Sequence, residues 1–259
     1  MRKLWLTAIF TALLSVPATT WELDAMNKQI TQTNFIVGTG CSGTLISLKY
    51  RLVLTNYHCI QSYISLLEKE EVARDGTARK VKREERADVP LAQRNYTGST
   101  LVGSVAYLAT IVEHKKTSDL ALLQIRATDL PYTVESKVLP AGKTVRRGEV
   151  VYIVGNPAGL DATLTVGVVS STTRTERFGW TDSEVEYLQI SGGVYFGSSG
   201  GALYNTDGFL IGVPFMLAGT PHLGGAVHYN HIRKFLTDSC YSELWNDKAE
   251  KYEVCKKKE

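Results

Sequence analysis

The chain has 259 residues, 44% of them hydrophobic and 21% charged, a balance that excludes intrinsic disorder and fits a packed core. Its formal net charge of +3 is too small to argue for a nucleic-acid partner. The length admits one large domain or two small ones.

Residues 1–18 read as a secretory signal peptide. Arg2 and Lys3 supply the positive start, Leu4 to Val16 form an apolar stretch short for a membrane span, and Val16-Pro17-Ala18 offers small residues for cleavage after Ala18. No second apolar run of spanning length follows, so the expectation is a secreted or periplasmic protein with no stable membrane span after signal cleavage. Export permits disulfides, and the cysteine count is even. Cys41, Cys59, Cys240 and Cys255 allow three pairings, of which position along the chain favours Cys41–Cys59 and Cys240–Cys255.

From residue 34 onward the dominant pattern is short runs rich in Val, Ile, Thr and Tyr, separated by turn residues. Strands are predicted at 34–39, 44–47, 52–55, 105–112, 120–125, 149–154, 163–170, 185–190, 202–205, 209–215 and 226–228. Many short strands with few helical stretches argue for barrels or a sandwich. Lys69 to Asp88 is dense in charge of mixed sign and reads as a solvated loop or exposed helix. Asn95-Tyr96-Thr97 is a glycosylation sequon, which matters only in a eukaryotic secretory pathway. Residues 126–148, with Pro131, Pro140, Gly142 and Gly148, read as a connection between two strand-rich halves. Asn205-Thr206-Asp207-Gly208 reads as a hairpin turn. Asn230 caps a predicted helix through Ile232, Phe235 and Leu236, and a second helix is predicted from Tyr241 to Val254.

Three stretches carry candidate chemistry. "LTNYHCI" places His58 at the end of an apolar strand, "TSDLALLQI" places Asp119 just before another, and "GSSGGAL" sets two serines among glycines. A serine hydroxyl is a poor nucleophile until a base takes its proton. Imidazole, with an ordinary pKa of about 6.5, is suited to accept and return that proton. A carboxylate on the far ring nitrogen fixes the tautomer, and glycines let backbone N–H groups turn toward a developing oxyanion. His222, His228 and His231 lack an acidic or cysteine ligand at metal spacing, so neither a metal nor a cofactor is expected.

These segments resemble the chymotrypsin-like (trypsin-fold) serine proteases: "CSGTLI" and "TNYHC" match the family's Cys-Gly-Gly-Ser-Leu-Ile and Thr-Ala-Ala-His-Cys segments, and "GSSGGAL" matches its Gly-Asp/Asn-Ser-Gly-Gly motif. "VGNPAGL" and "LIGVPFML" further resemble the HtrA-type branch. The resemblance implies an all-β fold of two six-stranded antiparallel β-barrels with a C-terminal helix, and a site in the cleft between them. It divides the mature chain, 19–259, into an N-terminal barrel at about 34–126, a C-terminal barrel at about 140–228 and a helical segment at 230–255. It implies a His58-Asp119-Ser199 triad acting on protein or peptide substrates, an oxyanion hole from the N–H groups of Gly197 and Ser199, and a Cys41–Cys59 bridge. Ser198 then stands where the family carries Asp or Asn, which leaves no carboxylate for a trypsin-style activating pair with a freed N-terminus. Gly193 stands where trypsin-like enzymes carry a pocket-bottom aspartate, and Leu217 and Gly225 align with pocket-wall glycines. A small uncharged side chain is the expected preference. The alternative is a catalytically silent binding or structural protein on the same fold. An α/β-hydrolase is excluded by its Ser–Asp–His order.

Overall fold

The computed structural model describes residues 21–72, 77–97, 100–179, 181, 183–216, 222–246 and 248. The candidate signal peptide, Leu217 and Cys255 lie outside them.

The first barrel closes in the order β1-β2-β3-β8-β7-β6, from Asn34–Val37, Cys41–Ser47, Leu52–Thr55, Leu120–Ile125, Thr100–Lys115 and Val89–Thr97 respectively. The second closes as β10-β11-β14-β13-β12-β9, from Thr163–Glu176, Val185–Ser191, Leu223–His228, Leu210–Met216, Ala202–Asn205 and Val150–Gly155. Every pairing between barrel neighbours is antiparallel. The two expected barrels and the C-terminal helix, α2 at Tyr229–Asp238, are therefore present.

The central strands read as unbroken apolar runs because both of their faces are buried. In β3, Val53 points into the first barrel while Leu52 and Leu54 point out of it. Ala121, Leu123 and Ile125 of β8 line the same barrel, and Leu120 and Leu122 face outward. Those outward leucines belong to one buried cluster with Val154, Ala202, Tyr204, Leu210 and Phe215 of the second barrel and Phe235 and Leu236 of α2. Each leucine so buried contributes about 2 kcal/mol relative to exposure. The barrels thus share a third core, which holds their facing ends together.

Four features differ from the sequence expectation. Leu23–Thr33 forms an unanticipated helix, α1, which buries Met26, Ile30 and Thr33. Its spacing of i, i+4, i+7 gives a narrow stripe, easily missed among Asn, Lys, Gln and Thr. The charged segment is neither loop nor helix: Ile64–Val72 (β4) and Ala78–Arg86 (β5) form a separate two-stranded antiparallel ribbon. Glu68 faces Lys82 and Glu70 faces Lys80 across it, so charge alternation encodes strand pairing where apolar alternation is absent. Lys69 and Glu85 pair at 2.7 Å, and Arg83 pairs with Glu71. β6 and the first part of β7 were likewise unread. Among the described residues after Tyr241, the predicted second helix is only the single turn Ser242–Leu244.

His228, rather than Asn230, caps α2: its Nδ1 accepts from the Asn230 backbone N–H at 3.1 Å. Only 4% of His228 is exposed. Burial, reinforced by the nearby His231 and Arg233 charges, holds its pKa down at about 4. Below an unfolded value near 6.5 the unfolded chain takes up a proton that the folded chain refuses. Stability contributed by neutral His228 is thus present above about pH 6.5 and lost as pH falls toward 4, by up to about 3 kcal/mol. His228→Asn, which keeps a cap acceptor but cannot titrate, should lose less stability than the parent between pH 7 and pH 4.5 in urea unfolding. Equal losses would contradict this assignment.

Candidate active site

β3 and β8 run side by side, with Thr55 opposite Ala121, so the residues just beyond their ends converge. After β3, the 3-10 turn Tyr57–Cys59 carries His58. Before β8, the 3-10 turn Lys116–Ser118 delivers Asp119 in the left-handed region, φ 51° and ψ 44°. That conformation is uncommon for residues other than glycine, although Asp tolerates it better than most. It is supported by Asn56, whose Nδ2 donates to the Asp119 carbonyl at 2.9 Å.

Asp119 is 2% exposed, and both of its carboxylate oxygens face His58. Oδ1 accepts the His58 backbone N–H at 3.0 Å, and His58 Nδ1 lies 2.9 Å from Oδ2 and 3.1 Å from Oδ1. A carboxylate can only accept, so in the neutral ring the proton belongs on Nδ1 and Nε2 is the basic nitrogen. Asp119 therefore sets both the position and the tautomer of the ring.

The second barrel contributes the turn between β11 and β12. Its backbone is held by Ser198 N–H to Tyr195 O (2.9 Å), Gly200 N–H to Pro214 O (3.1 Å) and Gly201 N–H to Ser198 O (3.1 Å). Across the barrel junction, Ser42 N–H donates to Ser199 O at 2.7 Å. The N–H groups of Gly197 and Ser199 meet no acceptor among the described residues. Gly200 must be glycine: its φ is +85°, and a Cβ there would lie 2.1 Å from Ser42 O.

The structure thereby gathers the sequence candidates His58, Asp119, Gly197 and Ser199 at one junction. His58 lies with the Cys41 and Cys59 sulfurs in a group whose atoms are within 4.8 Å of one another, and Cys59 Sγ is 3.6 Å from Ser199 O. That last contact is packing, since a disulfide sulfur has no proton to donate. The same bridge keeps this trio from being a metal-ligand set, because neither sulfur is a thiolate.

Of the specificity candidates, Gly193 and Gly225 are among the described residues and Leu217 is not. Gly193 is exposed, and its carbonyl accepts from Thr165 Oγ1 at 3.1 Å. Gly225 sits opposite Phe215 in the β13–β14 pair, and a Cβ on it would meet the Phe215 ring at 2.5 Å. A Cβ on Gly224 would meet Val194 at 2.4 Å, so Val194 and Phe215 take up the room these glycines provide. From Tyr187 to Tyr204 there is no charged side chain. Sequence reasoning missed Ser42, Asn56 and Asn156, all buried and bonded to the loops of the site. The one signal for them was their position inside the quoted motifs.

The Cys41–Cys59 disulfide is present, and no free cysteine occurs among the described residues. Cys240 is also disulfide-bonded, while its expected partner Cys255 falls outside the described residues.

Comparison with known proteins gives a match to the trypsin-like peptidase domain over residues 41–213. Serine protease HTRA2, mitochondrial, of Drosophila willistoni is 40% identical over 131 residues, covering 49% of this chain and 29% of that protein. The chain thus matches less than a third of the length of such curated relatives. A serine endoprotease from Yersinia pestis superposes with a TM-score of 0.58 at 24% identity, covering 82% of this chain and 65% of that one. The HtrA-type protease AlgW, solved with a decapeptide, has a TM-score of 0.56 at 22% identity, covering 77% and 51%. These two likenesses speak for the fold.

The bridge closes a loop with a sequence separation of 18 and anchors the turn that carries His58. Replacing Cys41 and Cys59 together by Ala should cost about 3 kcal/mol by the chain-entropy model. It should also blunt labelling of Ser199 by a fluorophosphonate beyond what the stability loss explains. Unchanged melting temperature and labelling in the double variant would refute both roles.

Proposed function

Because the chain belongs to the trypsin-like peptidase domain family, we propose that it is a serine endopeptidase working through His58, Asp119 and Ser199. The observation that carries this reading is the Asp119–His58 pair, whose carboxylate faces Nδ1 and so assigns the base role to Nε2, set beside a serine turn in which Gly197 N–H and Ser199 N–H meet no acceptor among the described residues. In the proposed cycle, His58 Nε2 takes the Ser199 hydroxyl proton as the oxygen attacks the scissile carbonyl. Charge then builds on the carbonyl oxygen, where the Gly197 and Ser199 N–H groups receive it. His58 passes its proton to the departing amine, an acyl-enzyme remains on Ser199, and water admitted with the same base releases the acid product. Asp119 keeps its hydrogen bonds to Nδ1 and steadies the imidazolium.

The proposed substrates are proteins or peptides with a small uncharged residue before the cut bond. Support comes from the charge-free stretch 187–204 and from Val194 and Phe215 filling the space beside Gly224 and Gly225. Export from the cytoplasm is also proposed. It rests on the N-terminal pattern and on the disulfides at Cys41–Cys59 and Cys240, which persist in oxidising compartments. Among the described residues, no helix is long and apolar enough to cross a membrane.

Ser199→Ala should abolish hydrolysis of a peptide library by the purified mature protein, and a fluorophosphonate adduct should map to Ser199. Ser198→Ala should retain activity within roughly tenfold, since among the described residues Ser198 Oγ accepts one hydrogen bond, from the Tyr195 N–H at 3.1 Å. Asp119→Asn should lower kcat roughly 10⁴-fold by allowing the wrong imidazole tautomer. An adduct on Ser198, or full activity in Asp119→Asn, would overturn the assignment.

A further inference from the structure

The trypsin-style device for holding the oxyanion turn, an inserted N-terminus paired with a carboxylate beside the nucleophile, is unavailable here, because the neighbouring residue is Ser198 and carries no charge. Something else must fix the peptide planes that present Gly197 N–H and Ser199 N–H. In a trans peptide the carbonyl and the following N–H point in opposite directions. No cis peptide occurs among the described residues, so an N–H is aimed by whatever holds the carbonyl of its own plane. For Ser199 that carbonyl is Ser198 O, tied to Gly201 N–H at 3.1 Å. For Gly197 it is Phe196 O, tied to Ala158 N–H at 2.7 Å. The intervening Gly197 O receives the Ser42 hydroxyl at 2.6 Å.

Ser42 is fully buried and its hydroxyl has no choice of direction. A hydroxyl offers one proton and two lone pairs. Asn156 N–H and Asn156 Nδ2 donate to Ser42 Oγ at 2.8 and 3.0 Å, so both lone pairs are used and the proton is left for Gly197 O. Asn156 is in turn saturated. Nδ2 also donates to Phe35 O at 2.9 Å, while Oδ1 accepts from Asn34 Nδ2 at 2.7 Å and from Ala162 N–H at 3.0 Å. Phe35 O can only accept and Ala162 N–H can only donate, which fixes the amide orientation. With the Ser42 hydroxyl and the Asn156 amide both fully used, this buried pair has one geometry.

We propose that Ser42 and Asn156 are positioning residues for the oxyanion site: an uncharged clamp on the Gly197–Ser198 peptide, the plane that links the two presenting Gly197 N–H and Ser199 N–H, which keeps the whole turn in its working orientation. The inference rests on the serine endopeptidase reading and adds to it a means of keeping the turn formed without an inserted N-terminus. Ser42→Ala removes the donor to Gly197 O. Asn156→Asp keeps the volume but puts an acceptor where Nδ2 stood. The Ser42 proton then turns toward the carboxylate and leaves Gly197.

The test measures kcat and KM on a peptide substrate for the parent, Ser42→Ala and Asn156→Asp, with folding followed by near-UV circular dichroism. A peptide boronate, which places a tetrahedral oxygen in the oxyanion site, is titrated against each. Binding of a cleaved product peptide is measured in the Ser199→Ala background with and without Ser42→Ala. The clamp predicts a 10- to 100-fold fall in kcat in folded variants, KM within about twofold, boronate affinity lower by the same factor, and product binding unchanged. A kcat within threefold of the parent, or a change confined to KM, overturns the clamp while the protease reading stands. Loss of fold in both variants makes the pair structural supports and overturns it too. A folded parent that neither hydrolyses peptide nor takes a fluorophosphonate defeats the protease reading, and the clamp with it.

Discussion

Two hydrogen bonds from Ser42 join the barrels at the point where chemistry would occur. Its backbone N–H reaches Ser199 O and its hydroxyl reaches Gly197 O. His58 and Asp119 belong to the first barrel, whereas Ser199 belongs to the second. A base and a nucleophile held on different bodies are useful only if their separation is fixed to a fraction of an ångström. Ser42 supplies that registration from a rigid base. It follows Cys41, whose bridge ends on Cys59 beside His58, and precedes Gly43, where any Cβ would lie 2.7 Å from Val37 and Val53. One short stretch of β2 therefore touches the histidine turn and the serine turn at once.

The larger packing serves the same end. Strands β3 and β8 have one face in the first barrel and the other in the shared core with the second. Burial of Leu52, Leu54, Leu120 and Leu122 against the neighbouring barrel fixes the end of the sheet from which His58 and Asp119 project. Asp119 itself departs from ordinary backbone geometry, and Asn56 and the His58 amide hold it there. A deliberate local conformation supported by its surroundings is what a site of this kind asks of its scaffold.

The barrels were legible because short β-branched runs bounded by turn residues repeat along most of the chain. His58, Asp119 and the glycine-flanked serines were legible because their residue types and order match one chemistry. The ribbon β4–β5 was not, because its pairing code is written in opposite charges across strands, which in one dimension is indistinguishable from a solvated run. Helix α1 was missed because its buried stripe is only Met26, Ile30 and Thr33. The clamp was hidden for another reason. Ser42 and Asn156 are 114 positions apart, and nothing local marks either as bonded to the other. The quoted motifs contained both residues, but only the fold gives them a shared task.

The account turns on Ser199 becoming acylated by the substrate, with His58 as base. Its most direct test uses an activated ester of a small N-acylated amino acid, mixed rapidly with enzyme and quenched in acid, with intact-mass analysis and peptide mapping. The account predicts a burst of leaving group close to one equivalent per enzyme, with the added acyl mass located on Ser199. Turnover of the ester without a burst or an adduct, or an adduct elsewhere, would contradict it.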